Sequence, residues 1–414
     1  MKKMRRKISM ILVASMISLM VFGCNGKEAE KKEAGQKTLE FWTISLQPTF
    51  NDYFNGLIAE FEKENPNIKI KWMDYPKDVI QEKLLTAIAS NNAPDVVNLN
   101  ADIALALADK NALLDVEDYI SEDTKTAFFD GIYDAVKTEQ GTIALPWYTT
   151  VPVIYINEQI LKDNGYPTDK YPTTAEEYFE WAIDVTEKTG VTGMAMEANI
   201  REMLGSSNVP IFNSEQSEIL INSDEAVEVI EKFKEVYNKN ANPKEILDQE
   251  LRAQLYNSKQ VVSVYSGTTF VNKFKTTAPE VYENTKVIPV PFDKSVSTTM
   301  YLSVPEKSEN KEEAIKFAEM VTNAESQLEF SKTANTLPST KATIEDEYFK
   351  KSSGTLEDEI KLAAVTSLKK SAEIPVPQDI LDQVNRNLQD ILFNNLNVKE
   401  NMDKIVSEIN AELK

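Results

Sequence analysis

The stretch GTIALPWYTTVPVIYINEQILKDNGYP, residues 141–167, decides how the rest of the chain is interpreted. Two β-type runs, 142–145 and 151–156, flank a Pro-Trp-Tyr-Thr-Thr segment, and an amphipathic helical run follows and ends at a glycine. A proline and two large aromatic residues are poor material for the interior of a sheet. They predict a connector that crosses between two lobes, with Trp147 and Tyr148 facing a cleft. The alternative is a buried hairpin whose aromatic side chains belong to the core.

Length and composition limit the classes of protein that this chain can belong to. Its 414 residues are too many for one ordinary core, so two domains are expected. Histidine is absent and Cys24 is the only cysteine. These two counts exclude Ser-His-Asp and Cys-His nucleophiles, histidine-containing metal sites and a disulfide within the chain. Catalysis by paired carboxylates stays open, because Asp and Glu are plentiful.

Residues 1–23 have the pattern of an export signal. Five basic residues precede an apolar run, Ile8–Phe22, which is shorter than a transmembrane helix requires. The run ends at Gly23-Cys24, which resembles the signal of bacterial lipoproteins and implies that Cys24 is diacylated. An ordinary secretory signal with an incidental cysteine is the alternative. Residues 24–37 are rich in charge and lack aromatic residues, which predicts a lipidated N-terminus followed by a disordered tether.

The chain is strongly acidic, with 45 basic and 66 acidic residues and a formal net charge of −21. Removal of residues 1–23 takes away five positive charges and no negative ones, which brings the mature charge to −26. Such a surface repels the phosphate backbone of nucleic acids and anionic lipid. We therefore expect no nucleic-acid partner, and contact with the membrane only through the lipid anchor.

From residue 38 onward, predicted strands and helices alternate. Strand-type runs at Thr38–Ile44, 68–72 and 95–99 are separated by two helical runs. This order predicts a parallel α/β lobe whose ligand cleft lies beyond the carboxyl ends of its strands. The residues at those ends suit either contact with a ligand or capping of the next helix; they are Gln47, Asn98 and Asn100.

The same part of the chain carries a family resemblance. The quoted blocks are FEKENPNIKI at 61–70, LLTAIASNNAPDVVNLN at 84–100, Leu145-Pro146, Tyr155-x-Asn157 and Pro172-Thr173-x-x-Glu176. They resemble the family 1 extracellular solute-binding proteins, which are the mostly sugar-binding receptors of ABC importers. The resemblance covers about residues 38–414. It implies the type II fold of periplasmic binding proteins: α/β, two lobes around a ligand cleft, with several hinge crossings.

By this resemblance, each lobe is built from separate pieces of chain. Crossings are expected near 147–150, 295–299 and 336–338. Lobe 1 would then comprise residues 38–146 and 299–336, and lobe 2 residues 147–298 and 337–414. A monomer without cofactor or metal is expected.

Sugar recognition needs aromatic rings for the apolar faces of pyranoses and planar polar groups for their hydroxyls. Trp147 and Tyr148 are the aromatic candidates, and Trp42 suits either the core or the cleft. The resemblance adds Asp102 and Arg201, the latter in a polar cluster with neighbouring residues. It also adds a glycine block in which threonine replaces the usual tryptophan. The predicted ligand-binding set is Trp42, Gln47, Asn98, Asn100, Asp102, Trp147, Tyr148, Arg201, Gly267 and Thr268.

The sequence therefore predicts a lipid-anchored receptor on the outer face of the bacterial cytoplasmic membrane. It would bind a sugar or oligosaccharide between two closing lobes and deliver it to the permease of an ABC importer, without enzymatic activity. One alternative is the same fold with a polyamine, a phosphate ester or a thiamine-like cation. A second is an exported glycosidase, which needs a pair of acids at a defined separation. A third is a surface interaction lipoprotein with no small ligand.

Overall fold

The computed structural model describes residues 36–213 and 217–412, so the predicted export signal, Cys24 and most of the tether lie outside the described residues. The strands, numbered in chain order, are β1 Lys37–Ile44, β2 Ile68–Tyr75, β3 Val96–Asn100, β4 Lys137–Thr138, β5 Gly141–Thr142, β6 Leu145–Thr150, β7 Pro152–Asn157, β8 Thr192–Ala195, β9 Val261–Gly267, β10 Thr285–Pro289, β11 Ser295–Val296, β12 Thr298–Ser303, β13 Leu337–Pro338 and β14 Ser371–Ala372.

The α-helices cover about half of the described residues. They are Asn51–Glu64, Lys77–Ala89, Ala101–Ala108, Glu122–Ala127, Asp130–Tyr133, Glu158–Asp163, Ala175–Thr189, Ile200–Ser206, Asp224–Asn238, Gln249–Asn257, Pro279–Glu283, Lys311–Thr322, Ala324–Ala334, Glu347–Lys350, Leu356–Leu368, Gln378–Asn394 and Val398–Glu412. Short 3₁₀ helices lie at Val116–Asp118, Asp134–Val136, Thr268–Lys273 and Thr343–Glu345.

Two main sheets divide the described chain into two lobes. The six-stranded sheet has the order β13-β6-β12-β3-β1-β2, with β1 parallel to β2 and β3, and β12 antiparallel to β3 and β6. The four-stranded sheet has the order β10-β7-β9-β8, with β9 parallel to β8 and antiparallel to β7. The predicted two-lobed α/β architecture is confirmed.

The first lobe forms because its helices present apolar stripes to the six-stranded sheet. In the helix Asn51–Glu64, Phe54, Leu57 and Phe61 recur at spacings of three and four, and all three are buried. The ring of Phe61 packs on that of Phe317 from a later helix, with centroids 5.0 Å apart. Helices from two distant parts of the sequence therefore share one core.

In the second lobe, local signals fix the helix Ala175–Thr189. Its N-cap is Thr174, whose hydroxyl accepts from the third residue of the helix, and it ends at Gly190 with φ +70°. The helix lies so close to β8 that a Cβ added to Gly193 would be 2.1 Å from the carbonyl oxygen of Ala182. Any side chain at this glycine would therefore push the helix off the sheet.

The chain passes from the six-stranded to the four-stranded sheet at Val151, just after the predicted 147–150. The predicted connector at 147–150 is wrong, because these residues belong to β6, which is an interior strand of the six-stranded sheet despite its proline. The neighbour β13 pairs only with Tyr148 and Thr149, so no partner on that side needs the missing N–H of Pro146. Opposite β12, a register shift places one extra residue in β6.

Two further segments connect the lobes. The short strands β11 and β14 pair in parallel outside both main sheets.

Strand β13 belongs to the first lobe, and Thr340 pairs there with Phe128, whereas the sequence assigned residues 337–340 to the second lobe. The hydrogen bonds of the six-stranded sheet hold this segment, so the third crossing lies beyond residue 340. The other bounds of the predicted division stay a prediction.

Candidate functional site

A cavity of about 240 Å³, called the smaller cavity below, lies where the two sheets meet. Residues of both lobes line it, at 150–152 where the chain crosses, at 265–267 where β9 ends, and at 296 and 298 on the returning chain. A ligand in the smaller cavity therefore touches both lobes, and its affinity depends on how the lobes are placed.

The polar lining of the smaller cavity is charged, and Tyr265 organises part of it. Tyr265 donates its hydroxyl proton to Glu202 Oε2 at 2.5 Å, and its carbonyl oxygen accepts from Arg252 Nη1 at 2.8 Å. Glu197 Oε2 lies 4.0 Å from Arg252 Nη2, an ion pair longer than a hydrogen bond. The cavity therefore holds two carboxyl groups and two guanidinium groups, counting Arg201.

Arg201 joins the two lobes at this cavity. Its Nη1 lies 4.0 Å from Asp102 Oδ2 of the first lobe, and its buried Nε has no hydrogen-bond partner within the described residues. Asn199 caps the helix Ile200–Ser206 by accepting from the backbone N–H of Arg201 at 3.0 Å. A guanidinium that is fixed in place and has an N–H donor without a partner in the described residues is suited to a ligand rich in hydrogen-bond acceptors.

Burial controls the titration of the carboxyl groups around Arg201. It raises the pKa of Glu197 and of Glu202 above the ordinary value, against the opposing effect of the nearby guanidinium charges. Burial also raises the pKa of Glu373, which follows β14, to about 8. The Ser297 hydroxyl donates to Glu373 Oε2 at 3.3 Å. Glu373 is therefore mostly protonated at pH 7.

We expect Glu373→Gln to become more stable than the parent protein as the pH rises. The folded pKa of about 8 exceeds the usual 4.5, so between these values the folded protein keeps a proton that the unfolded chain has released. The parent protein therefore loses stability over this range, and the amide does not. Between pH 6 and pH 9 the variant should gain at least about 1.4 kcal/mol relative to the parent, the equivalent of one pKa unit.

Urea unfolding at the two pH values measures this gain. The same pH dependence in both proteins would contradict the raised pKa of Glu373. Glu345→Gln is a suitable control, because Glu345 is exposed and ion-paired with Lys350, which lowers its pKa. The control substitution should give no gain between pH 6 and pH 9.

The larger cavity, of about 1010 Å³, adjoins the smaller one at the Asp102–Arg201 pair, because Asp102 lines the larger cavity and Arg201 the smaller. Asn100 lines it from the end of β3, and Gln378 and Asp379 line it from the start of a second-lobe helix. Together the two cavities form an inter-lobe cleft.

Asn100 and Asp102 hold this part of the cleft in place. Asn100 Oδ1 accepts from the backbone N–H of Ile103 at 3.1 Å and so caps the helix Ala101–Ala108, the alternative role considered from the sequence. Asp102 Oδ1 accepts from the backbone N–H of Val376 at 3.3 Å. Asp102 thus contacts the connecting segment as well as Arg201.

The structure places Trp147 in the core of the first lobe and not in the cleft. Its side chain is 0% exposed, and its ring packs on Phe54 and Phe330 at centroid distances of 5.7 and 5.0 Å. Side chains alternate between the faces of a strand, and this position of β6 faces the helices behind the sheet. This corrects the predicted cleft position of Trp147.

The other two aromatic candidates also lie outside both cavities. Tyr148 is half-buried against Phe330, with ring centroids 5.2 Å apart, and burial raises its pKa to about 12. Trp42 is buried beside Tyr75, with centroids 4.9 Å apart, and donates to Glu40 Oε2 at 3.2 Å. The aromatic part of the predicted site is therefore corrected: these rings pack within the first lobe.

Two of the predicted polar residues are likewise absent from the cavity linings. Asn98 is fully buried in β3, where Nδ2 donates to the carbonyl oxygen of Tyr301 at 3.1 Å. Gln47 is exposed, and its backbone N–H donates to Asp74 Oδ2 at 3.1 Å. Asn98 and Asn100 are two positions apart and share one face of β3, so their positions along the strand explain the difference: Asn98 lies in the middle of β3 and is covered, whereas Asn100 is its last residue and reaches the cleft.

Gly267 lies on the smaller cavity, and Thr268 follows it just outside the lining. A Cβ added to Gly267 would meet no atom within 4 Å, so the space above it is open to a ligand. The Thr268 hydroxyl is buried and has no partner within the described residues. Four predicted residues thus line the cleft, and their contact with ligand stays a prediction: Asn100, Asp102, Arg201 and Gly267.

Three charged residues of the site, Glu202, Arg252 and Glu373, were not predicted from the sequence. Arg252 lies within the helix Gln249–Asn257, whose pattern indicates no function. The signal that would have found it is the scarcity of arginine. The chain has five arginines, two of them within residues 1–23, and two of the other three line the smaller cavity.

Residues 36–213 and 217–412 contain neither a metal-binding cluster nor a membrane-spanning helix. Within these residues, no three acidic or cysteine side chains converge as a metal centre would require. The helices of the same residues lack the combined length and apolarity of a membrane span.

Relatives of known name support the family resemblance. A model of the bacterial extracellular solute-binding proteins matches residues 47–328. YcjN of Escherichia coli strain K12, a candidate periplasmic-binding protein of an ABC transporter, is 24% identical over 347 residues, 77% of this chain and 75% of YcjN. The maltodextrin-binding protein MdxE of Bacillus subtilis strain 168 is 25% identical over 235 residues, 55% of this chain and 54% of MdxE.

Solved structures share the fold. The cyclic α-maltosyl-1,6-maltose-binding protein of Arthrobacter globiformis matches with a TM-score of 0.80 at 17% identity, covering 92% of this chain and 100% of that one. At this identity the likeness shows the fold alone. The predicted resemblance is confirmed. With a family match over about two thirds of its length and the two-lobed fold that solved relatives share, the chain belongs to the bacterial extracellular solute-binding proteins.

Proposed function

We propose that this protein is the carbohydrate receptor of an ABC importer. The observation that carries the proposal is the smaller cavity, where charged residues of the second lobe and Thr150 and Thr298 of the first lobe line one space. A ligand that contacts both lobes stabilises the closed arrangement relative to the open one. The closed form would then dock on the membrane permease.

A saccharide suits the lining of the cleft. Carboxylate, amide and guanidinium groups make paired hydrogen bonds to neighbouring hydroxyls, and the cleft supplies all three types from Glu197, Asn100 and Arg201. The names of MdxE and of the Arthrobacter protein, which bind a maltodextrin and a cyclic maltosyl-maltose, support the same class of ligand.

Export and lipid anchoring are part of this proposal. The family is extracellular, and residues 1–24 have the pattern of a bacterial lipoprotein signal. A diacylglycerol on Cys24 supplies two acyl chains, which anchor a protein stably where one chain anchors it marginally.

We expect a saccharide to raise the melting temperature of the purified protein. A ligand at a hundredfold excess over its Kd adds about 2.7 kcal/mol to the free energy of unfolding, which shifts melting by a few degrees. The screen contains maltodextrins, cyclic glucans, monosaccharides and uronic acids, with polyamines and thiamine to represent the alternative ligands. The proposal would be contradicted if only the cations stabilised the protein, or if none of the saccharides did.

A cavity-filling variant locates the ligand. Gly267→Leu places a side chain in the open space of the smaller cavity without strain, because Gly267 has φ −64° and its Cβ position is free. We expect it to abolish the saccharide shift and to leave the ligand-free melting temperature unchanged. Gly56→Leu is the matched control, since a Cβ there also meets nothing within 4 Å and lies on an exposed helix face.

A further inference from the structure

Arginine is concentrated in the smaller cavity. The chain has forty lysines and five arginines, and only three arginines follow residue 23. Arg201 and Arg252 line the smaller cavity, Arg386 is exposed on a helix, and no lysine belongs to the described lining. A guanidinium presents parallel N–H groups that match a planar anion, which an ammonium does not. The choice of arginine in a lysine-rich chain therefore indicates recognition of such a group.

Both guanidinium groups keep donors available for a ligand. The ion pairs of Arg201 with Asp102 and of Arg252 with Glu197 have N–O separations of 4.0 Å, longer than a hydrogen bond. The buried Nε of Arg201 has no partner within the described chain. The carboxylates of Asp102 and Glu197 lie beyond hydrogen-bond distance of the paired guanidinium nitrogens. A planar acceptor between the two arginines would come within hydrogen-bond distance.

Burial favours the neutral form of the acids around the two arginines. Glu202 is engaged by the Tyr265 hydroxyl at 2.5 Å, and burial raises its pKa and that of Glu197. Glu373, with a pKa of about 8, is mostly protonated at pH 7. The raised pKa values favour the neutral form of these acids and so reduce the negative charge that opposes the two arginines.

Neither cavity offers an aromatic face. Tyr265 is the one aromatic residue in the two described linings, it is 5% exposed, and its ring packs beside Phe292. A neutral sugar gains affinity by stacking on such faces. In this cleft, affinity has to come from polar and charged contacts.

We propose that the ligand is an acidic saccharide whose carboxylate binds between Arg201 and Arg252 in the smaller cavity. The inference rests on the proposed carbohydrate receptor and narrows its substrate to uronic acids and their oligomers. Further sugar units extend into the larger cavity, which adjoins the site at the Asp102–Arg201 pair.

Calorimetric titration compares galacturonic, glucuronic and mannuronic acids, as monomers and dimers, with their methyl esters. The ester keeps the sugar ring and removes the charge, so we expect one of the acids to bind at least tenfold more tightly than its ester. Arg201→Lys and Arg252→Lys should each weaken the acid at least tenfold, because lysine keeps the charge and loses the paired geometry. Arg386→Lys is the matched control and should change nothing.

The outcomes separate this inference from the function on which it rests. Equal binding of acid and ester, or binding of neutral saccharides in place of the uronic acids, overturns the carboxylate site and leaves the carbohydrate receptor standing. Binding of no saccharide overturns both. If a lysine variant does not fold, the comparison of acid with ester on the unaltered protein still decides.

Discussion

Trp147→Ala is expected to lower the free energy of unfolding by about 3–5 kcal/mol and to leave the ligand affinity of the folded protein unchanged. The indole is fully buried and packs against Phe54, Tyr148 and Phe330. Its removal leaves a cavity that a close-packed core cannot refill completely. Urea unfolding measures the loss of stability, and calorimetric titration at low temperature measures the affinity.

Two further variants make the Trp147 result specific. Trp147→Phe should cost much less than alanine, because it keeps a ring and Nε1 has no hydrogen-bond partner within the described residues. Tyr119→Ala removes an aromatic side chain that is 38% exposed and should change stability by no more than about 0.5 kcal/mol. A large loss of affinity with little loss of stability in Trp147→Ala would return this residue to the cleft.

The fold class was predictable because its signals are local. The run Thr38–Ile44 predicts almost all of β1, and the residues at 95–99 predict β3, because buried parallel strands read as apolar runs. Helix ends are marked by single residues such as Gly190, whose positive φ suits glycine. Each of these signals lies within a few positions of the element that it specifies.

The direction of Trp147 was not predictable, because distant residues determine it. Strand β6 is an interior strand only because β12 and β13, more than 140 residues later in the chain, pair with its two sides. The extra residue in β6 then decides which side chains face the core. The residue pattern within 141–167 shows neither which strands pair with β6 nor where its extra residue lies.

The charged part of the site was hidden for the same reason. Arg252 and Glu373 lie 51 and 172 residues beyond Arg201 in the sequence. In the fold, Arg252 lines the same cavity as Arg201, and Glu373 comes close enough to Arg201 to interact with its charge. Arg252 does not break the periodicity of its helix, and Glu373 lies in the segment between β14 and the next helix. Only the scarcity of arginine, a property of the whole chain, points to one of them.

Asp95→Ala is expected to lower the free energy of unfolding by about 3 kcal/mol, because three donors lose one buried acceptor. The backbone N–H of Glu40 donates to Asp95 Oδ2 at 2.8 Å, and Ser308 and Asn310 donate to Oδ1 at 2.7 and 3.1 Å. The carboxylate thereby ties β1 to the segment that leads into the helix Lys311–Thr322. Urea unfolding of the variant and the parent protein measures the loss.

Asp95→Asn is the matched variant, since it keeps the size of the side chain and one acceptor oxygen. Its free energy of unfolding should lie between that of the parent protein and that of Asp95→Ala. The ligand affinity of either folded variant should equal that of the parent, because Asp95 precedes β3 and Asn100 ends it, with the cleft at the Asn100 end. A strong effect on affinity at unchanged stability would refute this separation. The structural carboxylate of Asp95 thus lies at one end of a short strand and the candidate ligand contact of Asn100 at the other. Because the two side chains are separated in this way, their roles can be tested independently.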